Sequence, residues 1–201
     1  MASADRLDVA DPRALERAAE IIRAGGVVAI PTETFYGLAA DAANASAIAR
    51  IFDIKGRPES MQLPLVAASM EQVELVLGPV DVRSAKAAAA FWPGPLTLVL
   101  TDNRQPATAN QSVAVRVPSH DFVRALCQRS DALLTATSAN QTGEPPAQTA
   151  GAVMASLGDA VDLVIDGGPT RGGKPSTIAD LRGPEPRLIR DGAVPWQEIK
   201  W

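Results

Sequence analysis

The chain has 201 residues, 46% of them hydrophobic and 21% charged, which suits one folded unit with a substantial core. Its net charge of −4 at pH 7 argues against a molecule built to condense on nucleic acid, although a local basic groove is compatible with that charge. The chain has a single cysteine, which excludes an internal disulfide. It also has a single histidine, so a protein-held zinc site is unexpected.

The chain shows no signal for export or for membrane insertion. Residues 1–6 lack the apolar core of a signal peptide. The longest apolar runs are shorter than the roughly 20 residues that a bilayer-spanning helix needs. We therefore expect a cytoplasmic protein with no membrane partner.

The spacing of apolar residues predicts helices and strands that alternate along the chain. Asp11 and Pro12 are expected to open the first helix, which Gly25 and Gly26 close. Further helices are predicted over 44–54, from 69, and over 84–91, 119–128 and 149–157. Strands are predicted over 27–30, 65–68, 96–100, 113–117, 133–137, 162–166, 176–181 and 187–190, with a polar loop over 102–112.

This order predicts an α/β protein. The last strands have no helices between them, which favours one twisted mixed sheet over a purely parallel one. No stretch is long enough to link two domains, so residues 1–201 are expected to form a single domain with its core over about 11–192. Residues 167–174 contain four glycines and two cations, and are predicted to form either a mobile loop that closes on ligands or a simple surface connector.

A dense group of short polar side chains follows the first strand. Thr32, Glu33 and Thr34 come directly after Pro31, which has no N–H for a sheet ladder and therefore ends or bends the strand. The ends of strands are where α/β proteins place their ligand pockets. Taken alone, this stretch is equally compatible with an ordinary exit from a strand.

Two cations follow the second predicted helix. Lys55 and Arg57 can line one rim of an extended loop that ends at Pro58. An arginine that binds bidentately beside a lysine point charge is typical of a polyphosphate site. The alternative is a solvated pair at the C-terminus of a helix, where the helix dipole favours cations.

Arg116 interrupts an apolar strand. Alternation places Val115 with the apolar face and Arg116 on the other face, together with Ala114. A guanidinium there is costly unless it is paired or binds a ligand. The alternative is an outward-facing residue on a half-exposed strand.

Hydroxyl and amide side chains accumulate where the strand over 133–137 ends. Ser138 and Asn140 are suited to ligand contacts there, but such residues are also common in turns and helix caps.

Several motifs occur together and in a characteristic order. They are Pro-Thr-x-Thr at 31–34, Lys-x-Arg at 55–57 and Ser-x-Asn at 138–140, with further blocks at 92–97, 114–118 and 175–177. This set resembles the YrdC-type threonylcarbamoyl-AMP synthases, and the matches run from about residue 20 to residue 192. The chain is similar to the short, single-domain form of that family.

The resemblance implies a YrdC-like fold with a concave basic pocket, and a nucleotidyltransferase. Its substrates would be L-threonine, bicarbonate and ATP with Mg²⁺, and its products threonylcarbamoyl-AMP and pyrophosphate. By the same resemblance Lys55 and Arg57 are the catalytic cations. The implied ATP contacts are Arg57, Ser112, Ser138, Asn140, Pro146 and Arg190, and the implied threonine contacts are Thr34, Arg116, Ala136 and Ser176.

The implied product would supply the threonylcarbamoyl modification of position 37 in certain tRNAs, through a downstream transferase complex and with weak tRNA binding. Two alternatives remain at this point. One is a double-stranded or ribosomal RNA binder, against which the acidity and the scarcity of aromatics weigh mildly. The other is a carbamoyl-transfer enzyme with the same fold and another acceptor.

Overall fold

The structure is a computed structural model, and it describes residues 4–56, 62–103 and 112–201. Arg57 and most of the loop predicted over 102–112 lie outside the described residues. The helices are α1 (Ala14–Arg23), α2 (Ala45–Lys55), α3 (Met70–Leu77), α4 (Val82–Phe91), α5 (Asp121–Ser130) and α6 (Ala150–Leu157), with a 3-10 turn at Trp196–Glu198. The strands are β1 (Asp5–Asp8), β2 (Val28–Ile30), β3 (Gly37–Ala39), β4 (Leu65–Val66), β5 (Leu96–Thr101), β6 (Ser112–Arg116), β7 (Leu134–Thr135), β8 (Thr137–Ser138), β9 (Leu163–Asp166), β10 (Thr177–Asp180) and β11 (Arg187–Arg190).

Short polar side chains cap four of the described helices, namely α2, α3, α4 and α6. A capping box opens α3: the Ser69 hydroxyl accepts the Gln72 N–H at 3.3 Å, and the Gln72 side chain accepts the Ala68 N–H at 2.7 Å. The predicted cap of α1 is wrong. Asp11 accepts the Arg13 N–H at 2.8 Å in a tight turn, and the helix begins only at Ala14.

The strands form two mixed sheets rather than the single mixed sheet predicted from the sequence. The five-stranded sheet has the order β1-β9-β2-β3-β8, and the six-stranded sheet has the order β11-β10-β5-β6-β4-β7. Parallel and antiparallel pairs occur in both, for example β2 with β9 and with β3. The α/β class is therefore confirmed, and the strands divide over two layers.

The predicted strand over 133–137 is divided between these two sheets. Residues 134–135 pair with β4 of the six-stranded sheet, and residues 137–138 pair with β3 of the five-stranded sheet. Ala136 lies at the crossing, where its N–H donates to the Pro64 carbonyl at 2.9 Å. The chain thus passes from one sheet to the other at Ala136.

Three apolar clusters support this arrangement. One packs α2 and α6 on the five-stranded sheet, and a second packs α3 and α4 on the six-stranded sheet. The third joins α1 and α5 to both sheets, because it includes Ile30 from the first sheet and Val66 from the second. It therefore links the two sheets through apolar packing. Within the described ranges, no helix has the length and apolarity required to cross a bilayer.

Asp180 on β10 ties two arginines to the six-stranded sheet. Its carboxylate accepts from Arg182 at 2.9 Å and from Arg187 at 3.1 Å, and these contacts lower its pKa to about 2, with Arg182 the larger cause. The stability from a lowered carboxyl pKa is present above about pH 4 and is lost as the pH falls through the folded-state value.

We therefore expect Asp180→Asn to lower the free energy of unfolding at pH 7 by about 2 kcal/mol. The difference from the wild type should shrink between about pH 4 and pH 2, because the wild type loses this contribution there. Urea unfolding at several pH values measures both effects, with Asp159→Asn on an exposed turn as the control. A pH-independent difference would contradict the prediction.

Candidate functional site: a cleft between the two sheets

The two sheets face each other across a cleft of about 700 Å³, called here the inter-sheet cleft. Its walls come from the turn after β2, the crossing at Ala136, and strands β5, β6, β10 and β11. Seven residues predicted from the sequence line this one space: Thr34, Arg116, Ala136, Ser138, Pro146, Ser176 and Arg190. The only charged side chains among the described lining residues are two arginines, Arg116 and Arg190.

The turn after β2 is fixed by the side chain of Thr32. The hydroxyl oxygen accepts the N–H groups of Thr34 at 3.2 Å and Phe35 at 3.3 Å, and the hydroxyl donates to the Phe35 carbonyl at 2.6 Å. Side chains of this kind replace backbone partners in tight turns. The turn therefore presents Thr34 to the cleft from a fixed backbone.

Lys55 is not part of a solvated pair, so that alternative is wrong for this residue. The side chain is only 3% exposed and its ammonium donates to three oxygens, the Ser138 carbonyl at 2.6 Å, the Asn140 carbonyl at 2.9 Å and the Asn140 side-chain oxygen at 3.2 Å. An ammonium has three donors. These contacts lie behind the wall formed by Ser138, and Lys55 itself is absent from the cleft lining. Lys55 thus holds the loop over residues 138–140.

The loop over residues 138–140 is stabilised by its own side chains as well. The Ser138 hydroxyl donates to the Asn140 side-chain oxygen, and the Asn140 amide donates to the Glu144 carbonyl. Pro146 lines the cleft close by, whereas Asn140 does not. The structure therefore places Ser138 and Pro146 at the cleft surface and Asn140 one layer behind, on Lys55.

Arg116, at the end of β6, is only 8% exposed, so it is not the outward-facing residue of the alternative reading. Its guanidinium makes an ion pair with Glu33 of the turn after β2, which belongs to the opposite wall. Burial, and the like charge of Arg190, lower the pKa of Arg116 to about 10. It is still positively charged at neutral pH.

Ser176 and Arg190 form a connected network on the same six-stranded sheet as Arg116. The Ser176 hydroxyl lies 2.8 Å from the Thr97 hydroxyl, and Arg190 donates to the Ser176 carbonyl at 2.8 Å and to its hydroxyl at 3.0 Å. Thr97 was not singled out from the sequence. Alternation on β5 is its only sequence signal, since Thr97 and Val99 share the cleft-facing side.

Ser112 lies apart from the other predicted residues. It occupies the opposite end of β6 from Arg116 and lines a second cavity of about 720 Å³. The Gln62 side chain, which touches both cavities, donates to the Ser112 carbonyl at 3.0 Å. Ser112 therefore does not line the inter-sheet cleft, and in this conformation it would not contact a ligand bound there.

The glycine-rich segment 167–174 lines the cleft at Gly173 and is fastened at several points. The Tyr36 hydroxyl donates to the Gly168 carbonyl at 2.8 Å, and the Gly172 N–H donates to the Thr34 carbonyl at 2.9 Å. Gly172 and Gly173 have φ angles of 64° and 89°, in the left-handed region that favours glycine. Lys174 pairs with Asp191 at 3.0 Å, so its ammonium is directed to that carboxylate. Whether the segment changes on ligand binding stays a prediction.

No group of three or more histidine, cysteine, aspartate or glutamate side chains is placed to hold a metal ion in the part of the chain that the structure describes. The donors that the described cleft does present are hydroxyls, backbone groups and two guanidiniums. Such donors suit carboxylates and phosphates.

Several known proteins are similar to this chain. Threonylcarbamoyl-AMP synthase of Pyrococcus abyssi is 41% identical over 187 residues, which are 91% of this chain and 55% of that protein. The synthase of Bacillus subtilis is 37% identical, over 98% of this chain and 58% of its own length. The chain thus spans a little more than half of these two relatives. The synthase of Marinobacter nauticus is 38% identical, over 83% of this chain and 90% of its own length.

Solved structures agree with these relatives. Sua5 of P. abyssi in complex with L-threonine superposes with a TM-score of 0.88 at 37% identity, over 98% of this chain and 60% of that one. YciO of Escherichia coli superposes with a TM-score of 0.82 at 26% identity, over 96% of this chain and 97% of that one. A model of the Sua5/YciO/YrdC family, described as telomere recombination, matches residues 20–192. The chain therefore belongs to the Sua5/YciO/YrdC family.

Proposed function

We propose that this protein is an L-threonylcarbamoyladenylate synthase. It would convert L-threonine, bicarbonate and ATP into threonylcarbamoyl-AMP, pyrophosphate and water. The observation that carries the proposal is the meeting of seven predicted substrate contacts in one cleft, whose described charged lining residues are both arginines. The names of the relatives from P. abyssi, B. subtilis and M. nauticus support the same activity.

The amino acid occupies the part of the cleft around Arg116. The guanidinium receives the threonine carboxylate, because a buried cation is a strong partner for an anion in a site that excludes water. Thr34 and Ser176 offer hydroxyls from the two opposing walls, and the Ala136 backbone lies between them at the crossing. The solved threonine complex of P. abyssi Sua5 supports an amino acid site in this fold.

The nucleotide occupies the part of the cleft around Ser138, Pro146 and Arg190. Arg57, outside the described residues, is proposed to contact the phosphates, and Lys55 acts on the same region through the loop that it holds. Mg²⁺ enters as the ATP complex, bound mainly by phosphate oxygens and water. Ser112 is retained as a proposed nucleotide contact only for a conformation in which the ligand reaches the far end of β6.

The chemistry requires positioning more than acid–base catalysis. Bicarbonate supplies carbon dioxide with loss of water, and the threonine amine captures it as a carbamate with release of a proton to solvent. A carbamate oxygen then attacks the α-phosphorus of ATP as the bond to pyrophosphate breaks. The protein aligns the two reactants and places cations where negative charge accumulates, which lowers the barrier without a proton acceptor. Arg116 and Arg190 are the described residues that supply this charge in the cleft.

The product is a reactive mixed anhydride, so it must pass to an enzyme that transfers the threonylcarbamoyl group. We propose the cytoplasmic complex that modifies position 37 of tRNA as this acceptor, with weak tRNA binding by the chain itself. We also propose that residues 1–201 form a single domain.

We expect pyrophosphate release that requires both L-threonine and bicarbonate. L-Serine lacks one methyl group and should support a kcat/KM about tenfold lower, and L-alanine should be no better. A coupled pyrophosphate assay with each component omitted in turn measures this. Equal release with serine or without an amino acid would contradict the assignment to threonine. RNA binding with steep salt dependence and no ATP turnover would favour an RNA-binding module instead.

A further inference from the structure

Glu33 is the third residue of the Pro-Thr-x-Thr motif at 31–34 and has no role in the proposed reaction. Its backbone is fixed, because the Thr32 hydroxyl binds the N–H groups of the two residues after it, at 3.2 Å and 3.3 Å. The Thr34 carbonyl also accepts the Gly172 N–H at 2.9 Å. A residue on such a rigid turn can aim its side chain accurately.

The Glu33 side chain reaches across to the other sheet. Its Oε1 atom makes the ion pair with Nη1 of Arg116, and the two side chains are 18% and 9% exposed. It is the only carboxylate in ion-pair contact with Arg116 in the described part of the chain. A carboxylate at one terminal nitrogen restricts rotation of the guanidinium and leaves its other N–H groups to face a different direction.

The charges around Arg116 explain why such a partner is useful. Arg190 lines the same cleft as Arg116, and after burial its like charge is the second cause that lowers the pKa of Arg116. The two guanidiniums therefore repel each other. Glu33 offsets one of these charges, and the three groups together carry a net charge of +1. The second oxygen of Glu33, Oε2, is buried and has no hydrogen-bond partner among the described residues, so the carboxylate is directed toward Arg116 alone.

We infer that Glu33 is the positioning residue of Arg116: it fixes the direction and the charge balance of the guanidinium that receives the substrate carboxylate. The inference rests on the proposed function, since it concerns the amino acid end of the same site. Glu33 does not touch the amino acid, which agrees with its absence from the described lining of the cleft.

The first test compares three variants by calorimetric titration. Glu33→Gln keeps the size of the side chain and removes the charge, and should raise the dissociation constant for L-threonine by about tenfold or more, since small errors of placement are costly. Its affinity for ATP should change by less than about twofold. Glu33→Asp keeps the charge on a shorter arm and should restore part of the threonine affinity. Glu16→Gln, which alters an ion pair on α1, is the control.

The second test separates positioning from direct binding. Arg116→Lys keeps a positive charge but loses the planar fork that a carboxylate can orient. If Glu33 acts through Arg116, adding Glu33→Gln to Arg116→Lys should weaken threonine binding much less than it does in the wild-type background. An equal, additive loss in both backgrounds would overturn the inference, because it would mean that Glu33 contacts threonine itself.

The third test needs no ligand. In ¹⁵N-arginine-labelled protein, a guanidinium held by a carboxylate gives separate, slowly exchanging Nη–H signals, and loss of the Arg116 signals in Arg116→Lys identifies them. Glu33→Gln should broaden or average these signals. Unchanged signals, or a wild-type threonine affinity in Glu33→Gln, would overturn the inference. If the wild type released no pyrophosphate while the signals responded to Glu33→Gln, the proposed function would fail and the orientation of Arg116 by Glu33 would stand.

Discussion

Replacing Arg116 by leucine is expected to weaken L-threonine binding by about two orders of magnitude, because the variant lacks the cation that pairs with the substrate carboxylate. Affinity for ATP should stay within about twofold, since the proposed nucleotide contacts are Ser138, Pro146 and Arg190 and none of them is removed. Calorimetric titration of each ligand measures the two effects separately. Arg17→Leu, which removes an exposed arginine paired with Glu20, is the matched control and should change neither affinity.

The same substitution should also lower stability. From the sequence alone, a leucine at position 116 is expected to raise the stability of the ligand-free protein, because a buried guanidinium without a partner is unfavourable. The structure reverses the sign of this expected change in stability, since Arg116 has Glu33 as its partner. Removing one member of a buried pair leaves the other charge uncompensated, and a loss of about 2–3 kcal/mol is expected for this nearly buried pair.

The double variant Arg116→Leu, Glu33→Gln tests that explanation. Removing the remaining charge as well should recover a large part of the lost stability, because the burial of both charges then ceases to oppose folding. Unfolding in urea gives the free energies of unfolding of the wild type, the two single variants and the double variant. Unchanged threonine affinity in Arg116→Leu would remove this residue from the site, and a more stable single variant would show that Glu33 is not its partner.

Most of the helices and strands could be predicted from local sequence patterns. The helix starts at Ala45 and Met70 have Asn44 and Ser69 in front of them, and the hydroxyl or amide of each cap does bind the helix N–H groups. The missed strands are those whose sequences show no such pattern. Asp5–Asp8 is a polar edge strand, and Gly37–Ala39 is too short for alternation to be seen.

The division into two sheets is a tertiary property. A run from Leu133 to Thr137 has the composition of one strand, and only its two different partners, β4 and β3, divide it at Ala136. The cleft arises from this crossing. The residues that line it were nevertheless predictable in part, because Ser138, Arg116 and Ser176 are polar groups inside or at the ends of apolar runs.

The roles of Lys55 and Glu33 depended on partners far away in the chain. Lys55 binds oxygens 83 and 85 residues later, and Glu33 pairs with a residue 83 positions away. Local spacing shows a cation or a carboxylate but not whether its partner is a ligand or the protein itself. The sequence therefore shows where such charges lie along the chain but not what each charge contacts.

Replacing Lys55 by methionine is expected to reduce nucleotide binding strongly and to destabilise the protein. Methionine fills a similar volume without donors, so three oxygens of residues 138–140 lose an ammonium that binds them at 2.6 to 3.2 Å. Leaving buried acceptors without a charged donor costs about 3 kcal/mol or more. Lys86→Met, at an exposed position on α4, is the control and should have little effect on either property.

A comparison of ATP with adenosine as ligands distinguishes two ways in which Lys55 can act. If the ammonium contacted the phosphates directly, Lys55→Met would weaken the binding of ATP and leave that of adenosine unchanged. If it acts by holding the Ser138–Asn140 loop, as the three contacts indicate, both ligands should lose affinity by the same factor. A displaced loop would lose its contacts with the nucleoside part, which ATP and adenosine share. Titrations of ATP and adenosine against the wild type and the variant, under conditions where both are folded, compare the two factors. A loss confined to ATP would return Lys55 to the phosphate site, and equal losses would make the lysine of the Lys-x-Arg motif the support of the nucleotide loop.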